Sequence, residues 1–342
     1  MLILNNEGFE SVKEFKNLKV SVIIPMYNEE ECIGACIHSI QRQNYSKELI
    51  EIIVVNGNSA DHSTQIVSDL IQQDDRIKMF DNPNRKTPIS LNIGIQHSTG
   101  DVVIILGAHT VIAPDFINQN IIHMKKMDVV CVGGTQKNIG KTYIQRAIAI
   151  AMGSPFGIPS APYRYAKRER YVDTVVYAAY KREIFDEIGF FDEETLIAED
   201  AELNWRIRKA GYKIFYTPKI ISYYYPRKNI TLLIKQLFRY GILRVHVIVK
   251  HFNAIKMIHL VPMLFVVSLF ALLILGILNI TFLRILALIS AFYIIVILAA
   301  SFFEAGKKQW KYLPVLPIIF PSMHLSWGFG FIYGLFTRNS KI

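Results

Sequence analysis

Hydrophobic positions follow two different rules along this chain. Between residues 19 and 135, short β-branched runs, VSVIIP (20–25), EIIVVN (51–56) and DVVIIL (101–106), have the length of buried strands. Segments with helical spacing lie between and after them, EEECIGACIHSIQRQ (29–43), DHSTQIVSDLIQQ (61–73) and TPISLNIGIQHS (87–98). The last opens on Thr87 and Pro88, which reads as an N-cap followed by the proline-tolerant first helical position. This alternation predicts an α/β fold with a parallel sheet covered on both faces. A further helix is expected over 199–210, with Leu203, Ile207 and Ala210 on one face and Glu202, Arg206 and Lys209 on others.

After Lys256 the pattern becomes three apolar stretches, 258–279, 282–303 and 312–336, each near the roughly 20 residues that cross a bilayer's hydrocarbon. Arg284 is the only charged residue from Ile258 to Phe303. The third stretch carries Pro314, Pro317 and Pro321, so a kinked or re-entrant segment is the alternative to a third crossing. Just before the first stretch, residues 229–251 carry an apolar stripe interspersed with Lys235, Arg239, Arg244 and Lys250, which predicts an amphipathic helix at the membrane surface. The expected division is therefore a domain over 1–228, an interfacial region over 229–257 and a membrane region over 258–342. Lys307, Lys308 and Lys311 crowd the loop between the second and third stretches, which places that loop, and by counting back residues 1–257, in the cytoplasm. The opening MLILNNEGFE has no basic region followed by a long apolar core and is not read as a secretory signal.

Composition agrees with a membrane protein: 51% of residues are hydrophobic and only 19% charged. Of the net charge of +10, five charges flank the spans, where they meet anionic lipid, so a nucleic-acid partner is not needed to explain it. Cys32, Cys36 and Cys131 lack metal-like spacing and read as small buried hydrophobes.

In open α/β sheets, ligands bind beyond the carboxyl ends of the strands. Here those ends are followed by Tyr27-Asn28-Glu29, by Asn56-Gly57-Asn58-Ser59-Ala60-Asp61 and by Gly107-Ala108-His109. Singly, each has an ordinary structural role: a helix cap, a turn, a loop histidine. Their convergence on one sheet edge points to a polar ligand. Asp200 is unusual as a carboxylate on an apolar helical stripe, the plainer account being a charge stabilised by the helix N-terminus.

In order and spacing, VSVIIPMYNEEE, IIVVNGNSADHS, NPNRKTPISLNIGI, GDVVIILGAHTVIAPDFI and IAEDAELNWRIRKAGY resemble the motifs of inverting family-2 glycosyltransferases with a GT-A fold. The resemblance runs from about residue 19 to 245. It is nearest to the succinoglycan type of exopolysaccharide enzyme, where YYYPRKNITLLIKQLFRYGILR also has its counterpart. It implies a Rossmann-like, mostly parallel GT-A domain followed by a transmembrane helical region. A nucleotide-sugar donor would be held by Pro25, Tyr27, Asn28, Glu29, Asn56, Arg85, Lys86, Asn92, Gln236, Arg239 and Tyr240. His109 would be the metal ligand, for Mn²⁺ or Mg²⁺, and Asp200 the catalytic base with Glu199 beside it.

The chemistry needs those groups. A nucleoside diphosphate leaves readily only when a cation meets its developing charge, and the attacking hydroxyl must lose its proton to a carboxylate on the opposite face of the sugar. Two departures stand out: Asn56 where many relatives have Asp, and Gly107 at the first acidic position of the metal motif. A lone imidazole suits softer ions than Mg²⁺, which favours Mn²⁺ or a loosely held metal. The implied activity is transfer of a hexose from a nucleotide sugar, UDP being expected, to a polyprenyl-diphosphate-linked saccharide in cell-surface polysaccharide synthesis. The alternatives are a polyprenyl-phosphate sugar synthase and a non-catalytic nucleotide-sugar-binding subunit. The oligomeric state stays open.

Overall fold

The computed structural model describes residues 18–195, 199–250 and 257–337. The opening decapeptide and residues 251–256 of the expected interfacial region lie outside the described residues. The chain divides into two compact units, one of residues 1–137 and 166–224, the other of 138–165 and 225–342.

Among the described residues the first unit is built on nine strands: β1 (Val20–Met26), β2 (Ile50–Asn56), β3 (Ile77–Asp81), β4 (Val102–Ile105), β5 (Thr110–Ile112), β6 (Cys131–Asn138), β7 (Arg170–Val172), β8 (Ala179–Lys181) and β9 (Ile214–Tyr224). They form one sheet in the order β3-β2-β1-β4-β8-β6-β9-β5, with β7 on β9. The expected strands are present to within a residue or two. The pairs β3-β2, β2-β1 and β1-β4 are parallel. Beyond β4 the sheet turns antiparallel, in β4-β8, β8-β6, β9-β5 and β9-β7. The sequence pattern exposed only the parallel part, because three-residue strands such as β7 and β8 are too short to show a period.

Helices α1 (Ile33–Gln41), α2 (Ser63–Ile71), α3 (Thr87–His97) and α4 (Phe116–Lys126) follow strands of this sheet. Alternate β1 residues serve opposite faces, as a two-residue period requires. Val20, Val22, Ile24 and Met26 join Ile33, Ile37 and Ile40 of α1 and Val67 and Leu70 of α2 in one buried cluster. Ile23 meets α3 on the other face, so closely that a Cβ on Gly94 would fall 2.4 Å from its Cγ2. At α3 the helix itself begins at Thr87, with Lys86 as the extended capping residue, so Thr87 is not the N-cap and Pro88 sits one position further in. Pro25 lies past the end of the β1–β4 ladder, which stops at Ile23↔Ile105, and proline is tolerated where a ladder has ended. The remaining helices of this unit are α6 (Glu183–Ile188) and α7 (Glu199–Lys209), with α5 (Tyr143–Met152) belonging to the second unit.

The second unit gathers α5 with α8 (Ile230–Lys250), α9 (Met257–Leu278), α10 (Ile280–Lys308) and α11 (Leu316–Thr337). The last three are long and apolar enough to cross a membrane. Most of α9 and α10 is exposed on the isolated chain, as lipid-facing helices require. More of α11 is covered, and α8 supplies the cover: glycines let the two backbones approach, since a Cβ at Gly330 would fall 2.0 Å from the carbonyl oxygen of Phe238, and one at Gly241 2.4 Å from that of Trp327. Inside this unit Ser154 and Lys307 both donate to Glu304, at 3.2 and 3.0 Å, and His324 bridges the Tyr293 hydroxyl and the Phe156 carbonyl, each at 2.9 Å.

Candidate active site

Three loops at the carboxyl ends of β1, β2 and β3 form a cross-braced rim. Asn28, Asn58 and Arg85, one in each loop, are left-handed, with φ of 53°, 60° and 59°. Asparagine adopts this conformation readily, whereas for Arg85 it costs about 1–2 kcal/mol, so the surrounding loop must enforce it. The bracing is explicit. The Asn28 amide N–H donates to Ser59 Oγ (3.0 Å), its side-chain oxygen accepts from the Ala60 N–H (2.8 Å), and the Glu29 N–H donates to Ser63 Oγ (2.7 Å). The Gly57 N–H donates to the Met26 carbonyl (2.7 Å), and the Asn82 N–H to that of Asn56 (2.7 Å). A Cβ at Gly57 would lie 3.3 Å from the Met26 carbonyl oxygen and 3.4 Å from Tyr27 Cβ, so the loops pack closely here. Above it the Arg85 guanidinium lies 5.6 Å from the centre of the exposed Tyr27 ring. Tyr27, Asn28, Arg85 and Lys86 are solvent-facing.

Two expected donor contacts have different surroundings. Asn56 is buried; its amide nitrogen donates to Asp81 Oδ1 (3.2 Å) and its oxygen accepts from the Ser59 N–H (3.0 Å), so it braces the loop. The exposed carboxylate at this strand end belongs to Asp81, which sequence reading missed because β3 carried no strong apolar run. Asn92 is also buried. Both ends of its amide are engaged by the Phe191 backbone, at 2.9 Å each, which fixes the loop ahead of α7. Gln236, Arg239 and Tyr240 lie on α8 in the second unit, where the Gln236 amide donates to the Tyr240 hydroxyl (3.0 Å) and Arg239 is exposed.

At the end of β4, the chain turns through Gly107-Ala108-His109, with the Thr110 N–H donating to the Gly107 carbonyl (2.9 Å). His109 Nδ1 lies 3.2 Å from Glu29 Oε1, and its ring packs edge-on to Tyr224, centroids 5.4 Å apart. Tyr224 comes from β9, paired with β5 at Thr110, a long-range register that no local pattern announces. A side chain at Gly107 would begin 3.4–3.6 Å from the His109 ring.

Glu199 and Asp200 open α7, whose Leu203 and Ile207 are buried as expected. Glu202 is buried as well, held by a 2.8 Å ion pair to Arg206, which also donates to the carbonyls of Ile188, Gly189 and Phe190. Asn204 ties the helix to the preceding loop at Thr174 (2.9 Å). The Ala201 N–H donates to Asp200 Oδ1 (2.7 Å). Burial, and secondly the charge of Asp200, pushes the Glu199 carboxyl up to about 8. The shift favours a proton on this carboxyl pair, and the helix N-terminus favours its remaining negative charge.

Among the described residues no group of three or more His, Cys, Asp or Glu side chains converges as a metal site. What is present is one imidazole with a carboxylate behind it and an unfilled position at Gly107. That set fits a divalent cation that completes its shell with donor phosphates and water.

Comparisons with known proteins bear on this arrangement. Residues 21–189 match the family model described as glycosyl transferase family 2. A dolichyl N-acetyl-α-D-glucosaminyl phosphate 3-β-D-2,3-diacetamido-2,3-dideoxy-β-D-glucuronosyltransferase of Methanococcus voltae is 30% identical over 94% of this chain and 98% of its own length. The succinoglycan biosynthesis protein ExoA of Rhizobium meliloti is 26% identical over 94% and 96%. Among solved structures, a mannosyltransferase of Pyrobaculum calidifontis in complex with GDP-mannose and Mn²⁺ superposes with a TM-score of 0.64 at 17% identity, covering 97% of this chain and 94% of that one, a likeness of fold. The mixed α/β domain is thus of GT-A type, it is followed by three helices long and apolar enough to cross a membrane, and the protein is a glycosyltransferase associated with membranes. The chain belongs to glycosyl transferase family 2.

Proposed function

We propose that this protein is a membrane-anchored inverting glycosyltransferase that moves a hexose from a nucleotide sugar, UDP-linked, to a saccharide already carried on a polyprenyl phosphate or diphosphate. The catalytic domain faces the cytoplasm, and α9 to α11 anchor it. The observation that carries the reading is the carboxyl pair opening α7: Glu199 and Asp200 stand side by side at a helix N-terminus, which favours an anion, with the Ala201 N–H donating to Asp200 Oδ1 (2.7 Å), and a carboxylate so held can act as a base. Asp200 takes the proton of the acceptor hydroxyl as that oxygen attacks the anomeric carbon. The bond from that carbon to the diphosphate breaks, and the nucleoside diphosphate departs with the electron pair, so configuration inverts.

Tyr27, Asn28, Asp81, Arg85 and Lys86 bind the nucleotide and diphosphate at the braced rim, with Asn56 and Pro25 shaping its floor. Arg239, from the Gln236-to-Tyr240 turn of α8, carries a planar fork of the kind suited to a phosphate. His109 would hold Mn²⁺ or Mg²⁺, which when bound neutralises the charge developing on the leaving diphosphate. The relative from Methanococcus voltae is named for an acceptor that already bears a sugar on a lipid phosphate, which favours a lipid-linked saccharide over bare lipid phosphate as acceptor.

The test is to incubate membranes containing the protein with labelled nucleotide sugars and lipid extracts. Label should enter lipid, and mild acid should release at least a disaccharide. Release of a labelled monosaccharide alone would make it a polyprenyl-phosphate sugar synthase, and absence of transfer across the panel, with nucleotide still bound, would make it a binding subunit.

A further inference from the structure

Glu29, whose side chain meets His109, is an expected donor contact. Its backbone does the bracing of the rim: the N–H donates to Ser63 Oγ, and the carbonyl accepts from the N–H groups of Cys32 and Ile33, each at 2.9 Å. That leaves the carboxylate for His109, with Oε1 at 3.2 Å from Nδ1. A carboxylate only accepts, so Nδ1 carries the proton in this contact, and the lone pair of the neutral ring then resides on Nε2. Nε2 is the ring nitrogen nearest the missing side chain of Gly107, 3.6 Å from where its Cβ would be. Tyr224 closes the ring from its edge. The imidazole is thus fixed from behind, and its unprotonated nitrogen adjoins the position at which the family's metal motif carries an acidic side chain.

We propose that Glu29 is a positioning residue for the metal site, setting the tautomer and orientation of His109 from the first loop of the sheet and so compensating for the carboxylate absent at residue 107. The proposal rests on the donor-site reading above and adds a second residue to a motif that has kept one ligand. A carboxylate behind a ligating histidine raises the basicity of the ligating nitrogen and holds the ring in one orientation, and losing such a partner typically weakens metal binding by about 10–100-fold.

The experiment uses the full chain in detergent, with Mn²⁺ titrated by the electron paramagnetic resonance signal of the free ion in the presence of UDP, and with metal-free UDP binding measured in parallel by calorimetry. His109→Ala should abolish Mn²⁺ retention. Glu29→Ala should weaken it about 10–100-fold, a much larger loss than any in metal-free UDP binding. Glu29→Gln should restore most of the affinity, because an amide oxygen still accepts from Nδ1–H. If Glu29→Gln falls as far as Glu29→Ala, Glu29 is itself a metal ligand and the positioning role is wrong. Equal loss of metal-free UDP binding in Glu29→Ala would make it a nucleotide contact instead. Wild-type protein that binds UDP but retains no Mn²⁺ overturns this proposal and leaves the glycosyltransferase reading standing, whereas failure to bind any nucleotide defeats both.

Discussion

Asp200 and Glu199 are adjacent in sequence and unequal in chemistry. Replacing Asp200 by Asn removes the base without changing its shape, so transfer should fall by at least about 100-fold while nucleotide affinity, read by calorimetry, stays within a factor of about two. Burial and the neighbouring charge raise the Glu199 carboxyl to about 8, well above the usual carboxylate range. The folded protein thus binds this proton more tightly than the unfolded chain, so its stabilising contribution is complete below about pH 4.5 and is lost as pH rises through about 8. The thermal midpoint should decline across that window and decline less in Glu199→Gln, a difference that scans at pH 5, 7 and 9 would reveal. Asp200 was legible as a carboxylate on an apolar stripe, and Glu199 beside it through the family resemblance. The upward shift of the Glu199 carboxyl was not legible, since it depends on burial that only the packed fold supplies. Asn56 and Asn92 show the converse: their residue types suit a nucleotide, but partners distant in sequence, Asp81 and Phe191, occupy their amides.

Among the elements, β1, β2, β4, α1, α2, α3 and α7 could be read from periodicity because each carries enough buried aliphatic residues to reveal its period. The antiparallel half of the sheet could not, being made of short strands joined by long-range pairing. Tyr224, which edges against His109, was hidden for the same reason. The α8–α11 pair was half legible: the amphipathic stripe of α8 was evident, but its partner is set by Gly241 and Gly330, where backbone meets backbone. Gly330→Val would force the Phe238 carbonyl aside and should cost at least about 1–3 kcal/mol, lowering the melting temperature and the yield of detergent-extracted protein. A substitution at an exposed α10 position, such as Leu288→Val, should leave both unchanged.

For the whole molecule, the sidedness of the membrane is the large-scale expectation. A cysteine placed at Gln309, between α10 and α11, in a background lacking Cys32, Cys36 and Cys131 should react with a membrane-impermeant maleimide only after cells are permeabilised. Labelling of intact cells would place that loop, and with it the catalytic domain, on the outer side. The order of the units along the chain carries a separate consequence. Residues 138–165 belong with the membrane helices although sheet strands precede and follow them. The buried side of α5, including Ala147, Ile148, Ala151 and Met152, therefore finds its packing among residues that occur only after position 224. Cutting the gene at residue 228 to obtain a water-soluble enzyme would strand that face, and such a fragment should precipitate or need detergent. The two halves of this polypeptide are consequently poor candidates for exchange as cassettes, and their biogenesis must hold the middle of the chain waiting for its end.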